Sequence, residues 1–268
     1  MADVVARDVR FHVQRISPAP GFPGEPPVVV FLHGLILDNL SSFYYTLAGP
    51  VAALGAETIM YDLRGHGRSE RPLDGYTVDD AVDDLAALLT ELGVDRPVYL
   101  VGNSYGGVVA LRCALRRPEL VAGLVVIEAH TVGDGAGDWT EHMSNTLTVT
   151  ALGLAHDALA DQLQELGDRK LARAARLADG LLNGTTLIDD VAANPALRGP
   201  DLNAIGCPVL AVYGEHSDLA DAGRQLGRHL PDCTLHIVPG QAHTVLREAT
   251  PLVRTLVLEW LAKRAVTA

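Results

Sequence analysis

Cysteine is scarce in this chain. There are three, at Cys113, Cys207 and Cys233, widely spaced and odd in number. That count excludes a disulfide framework and fits reduced thiols serving as small core residues in a cytoplasmic protein. Basic residues are also in deficit. Lys and Arg number 21 against 33 Asp and Glu, for a net charge of −12. So acidic a surface argues against nucleic acid or an anionic membrane as partner. No apolar run approaches the ~18–20 residues of a membrane helix. The first ten residues carry charges every few positions, so no signal-peptide core is expected there. His-Glu-x-x-His, paired-cysteine, Gly-x-Gly-x-x-Gly and phosphate-loop patterns are all missing, so neither a metal nor a nucleotide cofactor is expected.

What is present is an apolar core. Of 268 residues, 48% are hydrophobic and 20% charged, which excludes disorder and suits one large α/β domain or one domain with an insertion. Residues 28–32 (Val-Val-Val-Phe-Leu) form a short apolar run of the kind found in buried parallel strands. Similar runs lie at 57–61, 98–101, 124–127, 208–213 and 234–238, and residues 4–16 read as one or two opening strands. The spacing predicts a helix over 77–92. Val78, Val82, Leu85, Leu88, Leu89 and Leu92 share one face, Thr77 caps the start and Gly93 ends it. Asp79, Asp80, Asp83 and Asp84 lie off that stripe and are expected to be a solvated face, not a metal site. Strands alternating with helices predict a mostly parallel sheet covered on both faces. The alternation stops between His130 and Leu202, where Ala, Leu and Arg-rich helical stretches such as 171–182 predict a helical cap. The expected organisation is therefore a core of residues 1–129 and 203–268 with a cap of residues 130–202 inserted after the sixth strand.

The strongest local signal is Gly102-Asn103-Ser104-Tyr105-Gly106, which joins the 98–101 strand to a helical pattern at 108–116. A Gly-x-Ser-x-Gly segment in strand–turn–helix context forces its serine onto a strained turn and lifts the hydroxyl above the sheet edge. Gly102 and Gly106 allow the strand and helix to approach closely. Ser104 is the candidate nucleophile. A serine needs a base to take its proton, and His243, in a Gly-x-x-His loop after the last strand, is the candidate.

With these residues in place, the chain resembles the α/β-hydrolase fold family over nearly its whole length. His33-Gly34 follows the first buried strand. Asp62-Leu63-Arg64-Gly65-His66-Gly67-Arg68-Ser69 follows the next, and Pro239-Gly240-Gln241-Ala242-His243 follows the last. The resemblance implies a doubly wound, eight-stranded sheet with a helical cap. It implies a triad in the order serine, acid, histidine, and an oxyanion hole from the Leu35 and Tyr105 amides. It makes His66 part of a structural turn.

The acid departs from the family pattern. Relatives often read Gly-x-x-Asp after the seventh strand, but here the stretch is Gly214-Glu215-His216-Ser217-Asp218, with serine at the acid's position. Asp218 is one residue late. Glu128, at the end of the sixth strand, is the alternative, as some members place the acid there; Glu215 is a third. The choice stays open. His33, Gly34, Ile36, His130 and Trp139 are candidates for substrate contact, with Leu37, Asp38 and Met143 nearby.

The resemblance implies a serine hydrolase acting on an ester, thioester or lactone of a small molecule through an acyl-enzyme. Two other readings remain. Asn103 before the serine is similar to hydrolases that cut carbon–carbon bonds in ring-cleavage products, although the Trp that commonly follows their histidine is absent here. A lyase or cyclase belongs with that reading. The other alternative is a small-molecule receptor that keeps the triad.

Overall fold

The computed structural model describes residues 2–20, 25–130, 169–193 and 197–265, with Met143, Leu147, Thr148 and Ala151 between them. Eight strands form one sheet in the order β1-β2-β4-β3-β5-β6-β7-β8. They are β1 (Ala2–Ala6), β2 (Val9–Ile16), β3 (Val28–Leu32), β4 (Glu57–Tyr61), β5 (Val98–Asn103), β6 (Val121–Ile127), β7 (Val209–Gly214) and β8 (Cys233–Val238). The β1–β2 and β2–β4 pairs are antiparallel and the remaining pairs parallel. This is the mostly parallel, doubly wound architecture that the alternating pattern predicts.

Period-two alternation distributes each central strand between two cores. Val28, Val30 and Leu32 of β3 face one, and Val29 and Phe31 face the other. The first core is closed by helices α1 (Val78–Glu91), α2 (Tyr105–Arg116) and α5 (Ala220–His229). The second is closed by the helical segment around Phe43, Leu47 and Val51, and by Val253, Val257 and Trp260 of α6 (Thr250–Ala265). Between β6 and β7 lie α3 (Arg169–Leu182) and α4 (Leu187–Ala192). Leu181, Leu182, Leu187 and Val191 from these helices pack with Tyr76, Leu147 and Ala151, and against Leu35, Ile36 and Met143. Most of the stretch expected to begin the cap, including Trp139, lies outside the described residues.

Helix α1 starts as its sequence predicts. Thr77 accepts from the Asp80 amide at 3.0 Å, and the two residues form a capping box. Its aspartates correct one expectation. Asp84 is buried, not solvated, and ion-pairs with Arg64 at 2.7 Å and Arg7 at 2.9 Å. Asp79 pairs with Arg112 of α2 at 2.7 Å. Asp79 and Asp83 keep side-chain exposures of 41% and 38%, so the face is solvated there and covered at Asp84. All three cysteines are free thiols, with Cys113 buried and the other two partly so. Among the described residues no helix is long and apolar enough to cross a membrane.

Candidate active site

Strand β5 runs directly into the turn at Ser104, which has φ 51° and ψ −118°. A non-glycine residue in that region stores strain, and it persists only where the surroundings hold it. Here the Ser104 amide donates to the Ile127 carbonyl at 2.8 Å, and the Ser104 carbonyl accepts from the Gly107 amide at 2.9 Å. Glycine is required on both sides of the serine. A Cβ on Gly102 would sit 2.5 Å from the Gly107 nitrogen, and one on Gly106 would sit 2.7 Å from the His33 carbonyl oxygen. Ser104 therefore stands at the N-terminus of α2, where the first amides have no partner within the helix. Tyr105 contributes one of those amides; its own side chain is buried in the core.

The loop after β3 reaches the serine from the other side. A Cβ on Gly34 would lie 3.5 Å from the Cβ of Ser104 and 3.2 Å from Asp38 Oδ2. The Gly34 amide donates to Asp38 Oδ2 at 2.7 Å and the Ile36 amide to His66 Nε2 at 2.9 Å. Among the described residues no partner takes the Leu35 amide between them. The Leu35 and Tyr105 amides, the expected oxyanion donors, thus lie on the loop after β3 and at the start of α2, on either side of Ser104.

His33 and His66 hold this loop from below. Their rings lie 5.2 Å apart, and both are buried. His33 Nε2 accepts from the Leu63 amide at 2.9 Å, so its proton sits on Nδ1 and is donated to the Gly34 carbonyl at 2.7 Å. His66 follows the same logic, accepting from Ile36 and donating from Nδ1 to the Arg64 carbonyl at 2.8 Å. Burial and the neighbouring His33 push His66 down to about 3, and burial lowers His33 too. Both rings are therefore neutral. His33 was expected at the pocket; with no exposed surface and both nitrogens engaged inside the protein, it supports the loop instead. Ile36 likewise packs against the helical residues between β6 and β7. Asp62 completes the support by accepting from the Leu40 and Arg68 amides at 2.9 and 2.8 Å.

Of the three carboxylates expected as the acid, Glu128 is the one that contacts His243. Glu128 follows β6 at φ 51° and has no exposed surface. Its Oε2 lies 3.2 Å from His243 Nδ1 and accepts from Ser217 Oγ at 2.5 Å, while its Oε1 accepts from the Gly214 amide. Asp218 is exposed, and its charge is the weakest of the influences on His243. Glu128, not Asp218, makes the hydrogen bond to His243. Glu215 accepts from the Gly240 amide at 2.9 Å and so ties the histidine loop to β7.

His243 is 44% exposed on its side chain. The hydrogen bond that His243 donates to Glu128 raises it above the ordinary histidine value; partial burial opposes this, and the charges of Glu128 and Asp218 add to it. With Nδ1–H directed at Glu128, Nε2 is left to accept a proton.

His243 opens onto a cleft of about 560 Å³, within the usual range for small-molecule sites. Leu35, Leu37, Tyr45 and Leu246 give it apolar walls, and Asp38, Asn103 and Arg247 add polar groups. Of the residues expected at the pocket, Leu37 and Asp38 line it. His130, half-buried just beyond Glu128, is not among the described residues that do. Tyr45 and Arg247 were not singled out from the sequence, and Asn103 was noted for the kind of reaction and not as a pocket wall. Asn103 and Arg247 do stand beside residues that were singled out: next to Ser104, and a few positions after His243. Tyr45 carries no local sequence signal. Among the described residues no group of three His, Cys, Asp or Glu side chains could hold a metal ion.

Comparison with known proteins agrees with this fold. Residues 27–182 match the alpha/beta hydrolase fold family. The 2-(acetamidomethylene)succinate hydrolase of Mesorhizobium japonicum is 28% identical over 268 residues, covering 90% of each chain. The sn-1-specific diacylglycerol lipase ABHD11 of Mus musculus is 27% identical over 242 residues, which is 82% of this chain and 76% of the lipase. Among solved structures, the thermophilic esterase from Thermogutta terrifontis superposes with a TM-score of 0.74 at 19% identity, covering 98% of each chain. The enol-lactonase from Burkholderia xenovorans superposes with a TM-score of 0.71 at 20% identity, over 97% of this chain and 99% of that one. The chain belongs to the α/β-hydrolase fold family and is an α/β-hydrolase enzyme.

Proposed function

We propose that this enzyme is a serine hydrolase that cleaves an ester, thioester or lactone of a small organic substrate through an acyl-enzyme. Ser104 attacks the substrate carbonyl. His243 Nε2 takes the serine proton and returns it to the leaving group, and then activates water for deacylation. Glu128 holds the imidazole by its Nδ1–H and stabilises the imidazolium as it forms. The Leu35 and Tyr105 amides receive the developing oxyanion. Donors of this kind are worth about 3–4 kcal/mol each, because they are fixed before charge develops.

The observation that carries this reading is the contact between buried Glu128 and His243, made at the sheet end where the Ser104 turn emerges. A buried carboxylate and a partly exposed imidazole form a graded pair: one group fixed, the other open to substrate. Residues 130–202 act in this reading as a helical cap. Their contact with Leu35 and Ile36 couples cap position to the oxyanion loop. The apolar walls of the cleft accept the acyl part of the substrate.

The test is turnover of 4-nitrophenyl acetate and butyrate, a thioester and an aliphatic lactone by the parent and by Ser104→Ala. Hydrolysis of at least one class by the parent, lost in the folded variant, is the expected result. Equal rates in the two proteins would overturn the assignment.

A further inference from the structure

Ser217 stands where many relatives carry the acid, yet the acid's contact with His243 comes from Glu128 on another strand. The geometry around the hydroxyl is specific. Ser217 is buried, and its Oγ accepts from the Leu219 amide at 3.1 Å. A hydroxyl has one proton and two lone pairs. With one lone pair taken by Leu219, the proton is directed to Glu128 Oε2 at 2.5 Å. That oxygen is the one that meets His243 Nδ1. The other carboxylate oxygen is held by the Gly214 amide, three residues earlier. The end of β7 and its turn therefore grip both oxygens of a side chain that arrives from β6.

We propose that Ser217 is a positioning residue for the general base, acting through Glu128: its hydroxyl fixes Oε2 against His243 and shares that oxygen's charge. The inference rests on the hydrolase reading above and adds to it a residue that touches neither substrate nor the reacting atoms. Two donors compete for Oε2. When Ser217 is removed, more of the carboxylate's charge falls on the imidazole, while the carboxylate gains freedom to turn away. The first effect strengthens His243 as a base, and the second lowers the fraction of time it is aligned.

Other charges around His243 bear on its titration. From the β7 turn come Asp218, Glu215 and His216, the last two exposed and close to one another. Asp38 and Arg247 share the cleft with it. Glu248 sits beside Arg247. None of these contacts Ser217 Oγ, so its substitution leaves them in place.

The experiment is the pH profile of kcat and KM for 4-nitrophenyl acetate hydrolysis in the parent, Ser217→Ala, Ser217→Cys, Ser217→Thr and Glu128→Gln. For Ser217→Ala we expect kcat to fall roughly tenfold, the size of one hydrogen bond to a charged group, with KM changed less than about threefold. The acid limb of kcat/KM should move up by about half a pH unit, since only part of that hydrogen bond's energy differs between the two protonation states of His243. Ser217→Thr, which keeps the hydroxyl, should recover most of the rate. Ser217→Cys is nearly isosteric and a weak donor. It should behave like Ser217→Ala, and it replaces that variant if the alanine protein does not fold. Parent-like kcat and acid limb in the Ala or Cys protein, with Glu128→Gln strongly impaired, would overturn the proposal and leave the hydrolase reading standing. Parent-like activity in Glu128→Gln would instead overturn the acid assignment, and the role of Ser217 with it.

Discussion

The Ile36 amide donates to His66 Nε2 at 2.9 Å, and Ile36 is held there at φ 67°. A β-branched residue rarely adopts that conformation, so the bond is a clamp on the loop that carries the Leu35 amide. His66 is part of a turn, but the turn reaches the chemistry through this bond.

Replacing His66 with Ala should therefore do two things. An unpaired Ile36 amide and a cavity should lower stability by about 1–3 kcal/mol, read by urea unfolding. The kcat for ester hydrolysis should fall with little change in KM, because the oxyanion donor is misplaced in the transition state. A variant that loses stability but keeps kcat would show that the loop finds its shape without the clamp.

Acid should loosen the same clamp. His66 is neutral in the fold, pushed down to about 3, whereas in the unfolded chain it titrates near 6.5. The unfolded state thus binds more protons as pH falls below about 6.5, and stability drops between there and about 3. His33, also lowered by burial, acts in the same direction. Urea midpoints at pH 6.5, 5 and 4 check the sign, with a smaller pH slope expected in His66→Ala.

His243 has the opposite sign. Its value is raised by Glu128, so their pairing contributes to stability fully below about 6.5 and is lost as pH rises through the folded value. For catalysis the imidazole must be neutral. The acid limb of kcat/KM should accordingly lie above about 6.5 in the parent. Glu128→Gln should shift it down and reduce kcat by about 1,000- to 10,000-fold. An acid limb at or below the ordinary histidine value would contradict the geometry.

Asp84 separates stability from activity. It is buried between Arg64 and Arg7 and is not among the residues that line the cleft beside His243. Asp84→Ala removes the carboxylate that pairs with Arg64 and should destabilise by about 3–5 kcal/mol. The kcat per folded molecule should stay near that of the parent, measured by activity against the folded fraction through a thermal ramp.

The cleft walls bear on substrate choice. Leu37 and Tyr45 are 61% and 80% exposed along its edge. Exposed apolar side chains beside a catalytic cleft fit a substrate's acyl chain. Leu37→Ser and Tyr45→Ser should raise KM for 4-nitrophenyl butyrate more than for the acetate, with kcat nearly unchanged.

The sheet, its two faces and the Ser104 turn were legible because they rest on local rules. Continuous apolar runs mark buried parallel strands, and Gly102 and Gly106 mark a close approach. The acid was not legible. Asp218 and Glu128 are both carboxylates at strand ends, and which one meets His243 depends on how the loop after β7 turns. Sequence spacing does not encode that geometry. His33 looked like a pocket residue because it adjoins the oxyanion loop; its burial comes from Leu63 and His66, contributed by a distant segment. Asp84 looked solvated because α1 has a regular amphipathic pattern. The arginines that bury it come from β1–β2 and from the turn after β4.

The most direct test of the central claim is intact mass after treatment with a fluorophosphonate, in the parent and in Ser104→Ala. We expect a single covalent adduct on the parent and none on the variant, since only an activated serine attacks phosphorus at neutral pH. A folded parent that takes no adduct, or an adduct that persists in Ser104→Ala, would contradict a nucleophilic Ser104.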